Sequence, residues 1–218
     1  MYFLPISLAI FLIFLFLIPF LIFMLPAVAF AKLGFSPVVG LFFFWLCLVG
    51  SLINIPVYRS DAEYPVEPDN VTMLFNQFFN VRIPHFQQQT ISLNLGGAIL
   101  PGILSLYLIS RVSFQPVFMA TVITTICSFL LSKPVKGVGV VIPAFIPPII
   151  AAVAALIFSD KAEAPAVAYI SGVMGTLIGA DLLRLHQIKR HGLSFLSIGG
   201  AGVFDGIFIV GIISVLLA

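Results

Sequence analysis

Charged residues are scarce in this sequence, because Asp, Glu, Lys and Arg make up only 8% of its 218 residues while 61% are hydrophobic. Soluble domains carry about 25% charged residues, so this composition excludes a water-soluble globular protein. The ten basic residues are scattered along the chain, which excludes a basic patch for nucleic acid. We expect an integral membrane protein whose main partner is the lipid bilayer; the sequence does not define its oligomeric state.

Cysteine and histidine are also scarce. The two cysteines, Cys47 and Cys127, lie inside apolar runs, so no disulfide framework is expected. The histidines, His85, His186 and His191, are not accompanied by the cysteines or carboxylates that complete a zinc site. Glycine-rich phosphate loops and nucleophile elbows are absent from the sequence. The sequence therefore predicts neither a metal nor an organic cofactor.

Long apolar stretches predict an all-α bundle of seven transmembrane helices that forms a single domain over residues 1–218. A spanning helix needs about 20 apolar residues. The first stretch is uncharged and longer than the apolar core of a signal peptide, so we expect an uncleaved helix. The predicted spans are 1–31, 38–57, 91–110, 114–132, a fifth that ends at Ser159, 164–185 and 193–218.

Segment 58–90 is the one sizeable polar region, and its weak alternation of polar and apolar residues favours extended structure or short strands at the membrane surface. The span that follows contains Asn94, two glycines and Pro101, which predict a broken helix. The proline run at 143–148 is either a surface loop before the fifth span or a re-entrant segment beside a site. We leave these two alternatives open.

The distribution of basic residues predicts the orientation, because they concentrate on the cytoplasmic side of membrane proteins. An inside N-terminus places seven basic residues inside and three outside. We therefore expect a cytoplasmic N-terminus. The inside set is Arg59, Arg82, Lys133, Lys136, Arg184, Lys189 and Arg190, and the outside set is Lys32, Arg111 and Lys161.

Two short stretches resemble each other. SLNLGGAILPGIL (92–104) and SIGGAGVFDGIF (197–208) share a Gly-Gly-Ala followed by a Gly-Ile. Since the chain is rich in glycine, we interpret this similarity as chance.

The hairpin 164–218 carries two intramembrane acids, Asp181 and Asp205. They lie 11 residues before and 13 residues after Gly192, so in an antiparallel hairpin both carboxyls are roughly 16–20 Å from the turn. Small residues allow helices in membranes to approach closely. The glycines that surround the two acids are Gly175, Gly179, Gly199, Gly200, Gly202 and Gly206.

Two facing carboxyls share a proton, so one acts as a base toward water while the other polarises a carbonyl group, as in aspartic proteases. A carboxylate in hydrocarbon costs at least about 2.5 kcal/mol, and intramembrane acids are therefore usually functional. Two alternatives stay open. The acids form an ion or proton site, or they are structural, with Asp181 paired to Arg184 or His186 and Asp205 bonded to Asn94.

The C-terminal half, from KPVKGVGV through PAVAYISGVMGTLIGADLLRL to SIGGAGVFDGIFIVGIISVLLA, resembles a family of prokaryotic integral membrane proteins that is defined only as a domain of unknown function. The resemblance implies a location in the prokaryotic inner (cytoplasmic) membrane. It implies nothing about activity.

A second resemblance is to presenilin and signal peptide peptidase, which carry one aspartate on each of two successive spans, the second in a Gly-x-Gly-Asp motif. Asp181 and Asp205 match this placement, and Gly202 matches the first glycine of the motif. The sequence Pro143-Ala144-Phe145 is similar to the Pro-Ala-Leu motif of these enzymes. The resemblance implies two catalytic aspartates and a membrane-anchored peptide as substrate.

The leading hypothesis is an intramembrane aspartyl peptidase that cleaves membrane-embedded peptides or signal remnants with Asp181 and Asp205. Supporting or substrate-binding roles are predicted for Gly202, Gly206, Asn94, Pro143, Ala144 and Phe145. The alternative is an ion- or proton-coupled transporter with the two acids as its coupling site. A third hypothesis is a scaffold in which the acids only hold helices together.

Overall fold

The computed structural model describes residues 6–65, 86–135, 139–185, 195–200 and 206–218. Most of them are helical. The helices are α1 (Ile6–Lys32), α2 (Pro37–Gly50), α3 (Leu100–Ile109), α4 (Phe114–Leu131), α5 (Ile146–Phe158), α6 (Ala164–Thr176) and α7 (Gly206–Leu217). Two π-helical segments, π1 (Leu95–Ile99) and π2 (Leu177–Leu182), are continuous with α3 and α6.

Among the described residues, two helices are long and apolar enough to cross a membrane, namely Phe114–Leu131 and Ala164–Leu182. They differ in position within the bundle, because 61% of the second is buried but only 22% of the first. The structure is mostly helical, which confirms the helical part of the predicted all-α bundle, although the described residues also form five strands; the count of seven spans stays a prediction.

Helix α6 is the centre of the helical layer and packs against α3, α4, α5 and α7. Its side chains Val167, Tyr169 and Val173 are fully buried. Close packing depends on glycine: a Cβ at Gly211 of α7 would lie 2.8 Å from the Tyr169 ring. Small residues thus allow α7 to approach α6, as is usual for helices in lipid.

Strands cover one end of the layer. Their bounds are β1 (Asn54–Pro65), β2 (Phe86–Asn94), β3 (Lys133–Val135), β4 (Gly139–Val141) and β5 (Phe195–Ile198). Strand β2 is central in a three-stranded sheet, antiparallel to β1 and parallel to β5, while β3 and β4 form a hairpin. The strands predicted in 58–90 are confirmed at both its ends, and 66–85 lies outside the described residues.

The predicted boundaries were wrong at the end of the second span and at the starts of the third and seventh spans. Helix α2 ends at Gly50, and strand β1 begins at Asn54 inside the predicted span 38–57, where Asn54 and Ile55 pair with β2. The predicted span 193–218 begins with β5 instead of a helix, since Phe195 to Ile198 pair with β2 and two glycines follow. The apolar run continues through both transitions, so hydropathy alone gave no sign of them.

The predicted break in the third span is confirmed. Residues 91–94 are the end of β2, and the helix begins with the π-helical turn of π1 before continuing as α3. Pro101 lies in the first turn of α3, directly after π1, and its missing N–H interrupts the helical hydrogen bonding at this junction.

The proline run at 143–148 starts a helix. Helix α5 begins at Ile146, with Pro147 and Pro148 in its first turn and both buried. Prolines are favourable there because the first N–H groups of a helix have no partner within the helix. Of our two alternatives, a surface loop before the fifth span and a re-entrant segment, the first agrees with this arrangement.

Charged side chains cap helices at both ends of the layer. At one end, Lys32 donates to the carbonyl of Leu216 at 3.0 Å, and the Glu163 carboxylate accepts from the backbone N–H of Ser113 at 3.1 Å. At the other end, Arg184 donates to the carbonyl of Phe129 at 2.6 Å. The ends of an otherwise apolar layer are thus polar.

Candidate functional site

Asp181 lies on π2, the segment that ends the central helical run. Its side chain is partly buried, and its Oδ2 accepts a hydrogen bond of 2.7 Å from the backbone N–H of Gly199. Short π-helical turns inside α-helices are frequent at functional sites. The carboxylate thus joins the last turn of one helical run to the residue that directly follows β5.

Gly199 has a left-handed backbone conformation, with φ of 75°. A Cβ at this position would lie 2.7 Å from both the backbone nitrogen and the Cβ of Ala98. Both the conformation and the space therefore require glycine. This turn directs the Gly199 N–H toward Asp181 while it keeps β5 against the start of π1.

Asn94 organises the neighbouring helix start. Its Oδ1 accepts from the backbone N–H of Gly97 at 2.9 Å, and its Nδ2 donates to the carbonyl of Ser51 at 2.7 Å and to Oδ1 of Asn54 at 3.1 Å. The hydroxyl of Ser197 donates to the same Asn54 oxygen. Asn94 is therefore a helix cap within a polar cluster that also includes one residue of β5.

The two stretches that we interpreted as a chance similarity have corresponding positions in the fold. Each is a strand followed by a Gly-Gly-Ala sequence and then a helix, namely β2 with α3 and β5 with α7. The strands pair in parallel, with Ser92 opposite Ser197 and Leu93 opposite Ile198. These serines are also the first residues of the two similar stretches. We refer below to β2–π1–α3 as the first unit and to β5, its following turn and α7 as the second unit.

The other predicted site residues are distributed as follows. Asp205 and Gly202 lie outside the described residues, as does His186. Gly206 is exposed, and no described heavy atom lies within 4 Å of where its Cβ would be. The close helix approach that we expected at Gly206 therefore has no support in the described structure, because α7 only begins at this residue.

Pro143, Ala144 and Phe145 are exposed just before α5, and the Phe145 side chain is 68% exposed. The Phe145 residue is the N-cap of α5, but its side chain makes no capping bond. The supporting or substrate-binding role that we predicted for these three residues stays a prediction. The prolines after Phe145 start a helix at the end of the layer.

Arg184 was one structural partner that we considered for Asp181. Its guanidinium donates to the carbonyls of Phe129 and Ser132, at 2.6 and 3.0 Å, and lies 4.2 Å from the centre of the Phe129 ring. A cation at the C-terminal end of α4 interacts favourably with the helix dipole. These contacts assign Arg184 to the end of α4.

Sequence reasoning did not find Asn54, Ser197 or the specific role of Gly199. A signal for the last two was present, because Ser197 and Gly199 belong to the stretch that resembles 92–104. The sequence contains no such signal for Asn54, since its position beside Asn94 depends on the register of β1 against β2. In the described part of the chain, His, Cys, Asp and Glu form no group of three that could hold a metal ion.

A family described as "Protein of unknown function (DUF1614)" matches residues 48–217, which is more than half of the chain. This chain belongs to that family. The match begins in α2 and includes both units, Asp181 and the central helix. No curated protein and no solved structure matched the chain, and the comparisons give no support for the resemblance to presenilin and signal peptide peptidase.

Proposed function

We propose that this member of the DUF1614 family is an intramembrane aspartyl peptidase in which Asp181 and Asp205 activate one water molecule. The observation that carries the proposal is the hydrogen bond of 2.7 Å from the Gly199 N–H to the Asp181 carboxylate. It ties Asp181 to the short segment that leads to Asp205, six residues further along the chain. Six residues span at most about 21 Å when fully extended, which limits the separation of the two acids.

The proposal includes a bundle that crosses the inner membrane seven times with its N-terminus in the cytoplasm. Its support is the apolar surface: Phe16, Phe42 and Phe114 are 71%, 68% and 70% exposed. Soluble monomers rarely expose large contiguous apolar patches. In this proposal, Lys32 and Glu163 at one end of the layer and Arg184 at the other reach the lipid headgroups.

In the proposed mechanism, one aspartate is ionised and takes a proton from water while the other is protonated and polarises the scissile carbonyl. The Gly199 N–H holds one oxygen of Asp181 and so fixes the orientation of the carboxyl group. Positioning of this kind is a large part of catalysis, because it removes the entropy cost of aligning the reacting groups.

The substrate class follows from the surroundings of Asp181. A peptide bond within a helix is shielded by its own hydrogen bonds, so a substrate must unwind before attack. The polar cluster of Asn54, Asn94 and Ser197 lies in the sheet that ends at the Asp181 partner. We propose membrane-anchored peptides whose cleaved segment is extended as it reaches Asp181.

The test is cleavage of a fluorogenic membrane-anchored peptide library by the purified protein in liposomes. Asp181→Asn and Asp205→Asn, made singly, each abolish cleavage if the two acids act as a pair, since neither alone supplies both the base and the proton donor. Asp160→Asn is the matched control, because Asp160 is an exposed aspartate in the link between α5 and α6. Retention of cleavage in either variant would exclude the mechanism.

One observation favours the alternative of an ion- or proton-coupled transporter. Helical hydrogen bonding changes to the π pattern in two helical runs, at π1 and π2, and the second change includes Asp181. Broken helices next to an intramembrane acid are typical of transport sites. Gradient-dependent uptake into liposomes that Asp181→Asn abolishes, with no cleavage of any peptide in the library, would select this function.

A further inference from the structure

Most buried hydroxyl groups in the helices bond to a carbonyl of their own helix. Ser105, Thr124 and Ser214 donate to the carbonyl four residues earlier, at 2.9, 2.8 and 2.6 Å. Ser and Thr commonly satisfy themselves in this way inside helices. A hydroxyl that does not follow this pattern is therefore informative about its surroundings.

Three hydroxyls are exceptions, and all lie on two helices that pack against each other. The buried oxygens of Thr121 and Ser128 on α4 and of Thr176 on α6 have no hydrogen-bond partner among the described residues. Ser128 is 1% exposed and Thr176 is 3% exposed. Each buried hydroxyl without a partner costs about 1–3 kcal/mol, so three on one pair of helices indicate a missing partner.

The α4 hydroxyls follow one face of the helix. Thr121, Thr125, Ser128 and Ser132 are spaced by four, three and four residues, and this spacing places them on a common face. Opposite them, α6 and π2 present glycines: a Cβ at Gly179 would lie 3.0 Å from the Ser128 Cβ. Ser128 therefore packs against the backbone of π2, and its hydroxyl makes no hydrogen bond across this contact.

The α4 face ends at the polar end of the layer. The hydroxyl of Ser132 accepts from Nε of Arg184 at 3.2 Å, Arg184 is partly exposed, and Lys133 is exposed. On the other side, Thr176 precedes Asp181 by five residues, which is the hydrogen-bond spacing of a π-helix. The hydroxyls thus extend from an exposed cation to the helical run that carries the site.

We propose that this seam, defined by Thr121, Ser128 and Thr176, binds internal water that enters from the Arg184 end of the bundle. Buried water typically makes about three hydrogen bonds to polar groups that otherwise lack partners. Irregular backbone within a membrane is tolerated where it lines a water-filled cavity, and π2 borders the seam.

The catalytic role of the seam rests on the peptidase proposed above. Hydrolysis consumes one water molecule: its oxygen bonds to the carbonyl carbon, the C–N bond breaks, and its two hydrogens end on the new acid and amine. The seam would hold such water beside the helical run that carries Asp181. The hydration itself does not depend on which reaction takes place.

The test is cysteine accessibility in membrane vesicles, with the silver ion as a small aqueous thiol reagent, in a Cys47→Ala, Cys127→Ala background. Ser128→Cys and Ser214→Cys are a matched pair, because each serine is buried and faces a glycine of the central helical run, Gly179 or Gly172. Only the Ser214 hydroxyl is bonded to its own helix. Since thiols react as thiolates, which need water, we expect silver to react at position 128 at least about tenfold faster.

Equal reaction rates at positions 128 and 214 would overturn the proposal. If one serine variant fails to fold, the comparison is repeated with two buried threonines, Thr176→Cys and Thr124→Cys. Faster silver labelling at position 176 supports the proposal, and equal rates overturn it. In the peptidase assay, Ser128→Ala should lower kcat and leave KM unchanged. Fast labelling at 128 without any peptide cleavage by the unmodified protein would retain the water seam and reject the peptidase.

Discussion

The first and second units have the same order of strand, glycines and helix, but their helix starts are held in different ways. In the first unit, Asn94 caps its own helix and binds Ser51 and Asn54. In the second unit, the corresponding turn offers the bare N–H of Gly199, which binds the carboxylate of Asp181 from another helix. In the first unit, a neutral side chain of the unit itself satisfies the helix start. In the second unit, the turn uses a carboxylate that belongs to a different helical run.

This difference distinguishes a polar group that stabilises the fold from a polar group that we expect to take part in function. A neutral amide that satisfies a helix start contributes stability and does not ionise. A carboxylate in an apolar span is costly, so its presence there favours a functional role. We therefore expect substitutions in the first unit to change stability, and substitutions at the acid of the second unit to change activity.

The largest expected effect is on catalysis. Asp181→Asn should lower peptide cleavage by at least about 10³-fold, because asparagine cannot take a proton from water. The amide oxygen still accepts from the Gly199 N–H, so the thermal unfolding midpoint should change little. If Asp181→Asn lost activity only because the protein unfolds, the acid would be structural. That result would contradict the distinction between a structural first unit and a functional second unit.

The next effect is on stability, at the turn of the second unit. Gly199→Ala should lower the free energy of unfolding by about 3 kcal/mol, since the new methyl group meets Ala98 at 2.7 Å. Gly34→Ala is the matched control: its φ is 81°, but nothing lies within 4 Å of the added Cβ. That control should cost only the left-handed conformation, about 1 kcal/mol. Equal costs would show that Ala98 does not confine this turn.

In the first unit, Asn94→Ala should lower the free energy of unfolding by about 2 kcal/mol. The variant loses the cap on Gly97 and leaves the Ser51 carbonyl without its donor. Denaturant titration in detergent measures the loss, and Asn94→Asp serves as the control that keeps the cap acceptor. Cleavage per folded molecule should stay within about twofold; a larger loss would give Asn94 a direct role at the site.

The smallest effect is expected at Gly206. Its Cβ position is open among the described residues, so Gly206→Ala should change the free energy of unfolding by less than about 0.5 kcal/mol. The same unfolding assay checks this value. A loss above 1 kcal/mol would restore the close helix approach that the sequence led us to expect, through contacts of residues 201–205.

Apolar composition was sufficient to predict a mostly helical architecture, and Asn94 with Gly96, Gly97 and Pro101 was sufficient to predict the break in the third span. The strand at 195–198 was not predictable, because its apolar side chains also fit a helix and only the distant β2 selects the strand. The Asp181 partner was equally hidden, since a backbone N–H leaves no mark in a sequence. The role of Asp205 stays a prediction.

The parallel pairing of β2 with β5 joins residues that are 105 positions apart, as Ser92 and Ser197 illustrate. During synthesis, β2 is therefore complete long before its partner leaves the ribosome, and contacts of such separation form late in folding. The oxygen of Asp181 acquires its amide donor only when β5 arrives. A nascent chain thus carries the acid without its orientation, and the proposed reaction becomes possible only in the last step of biogenesis.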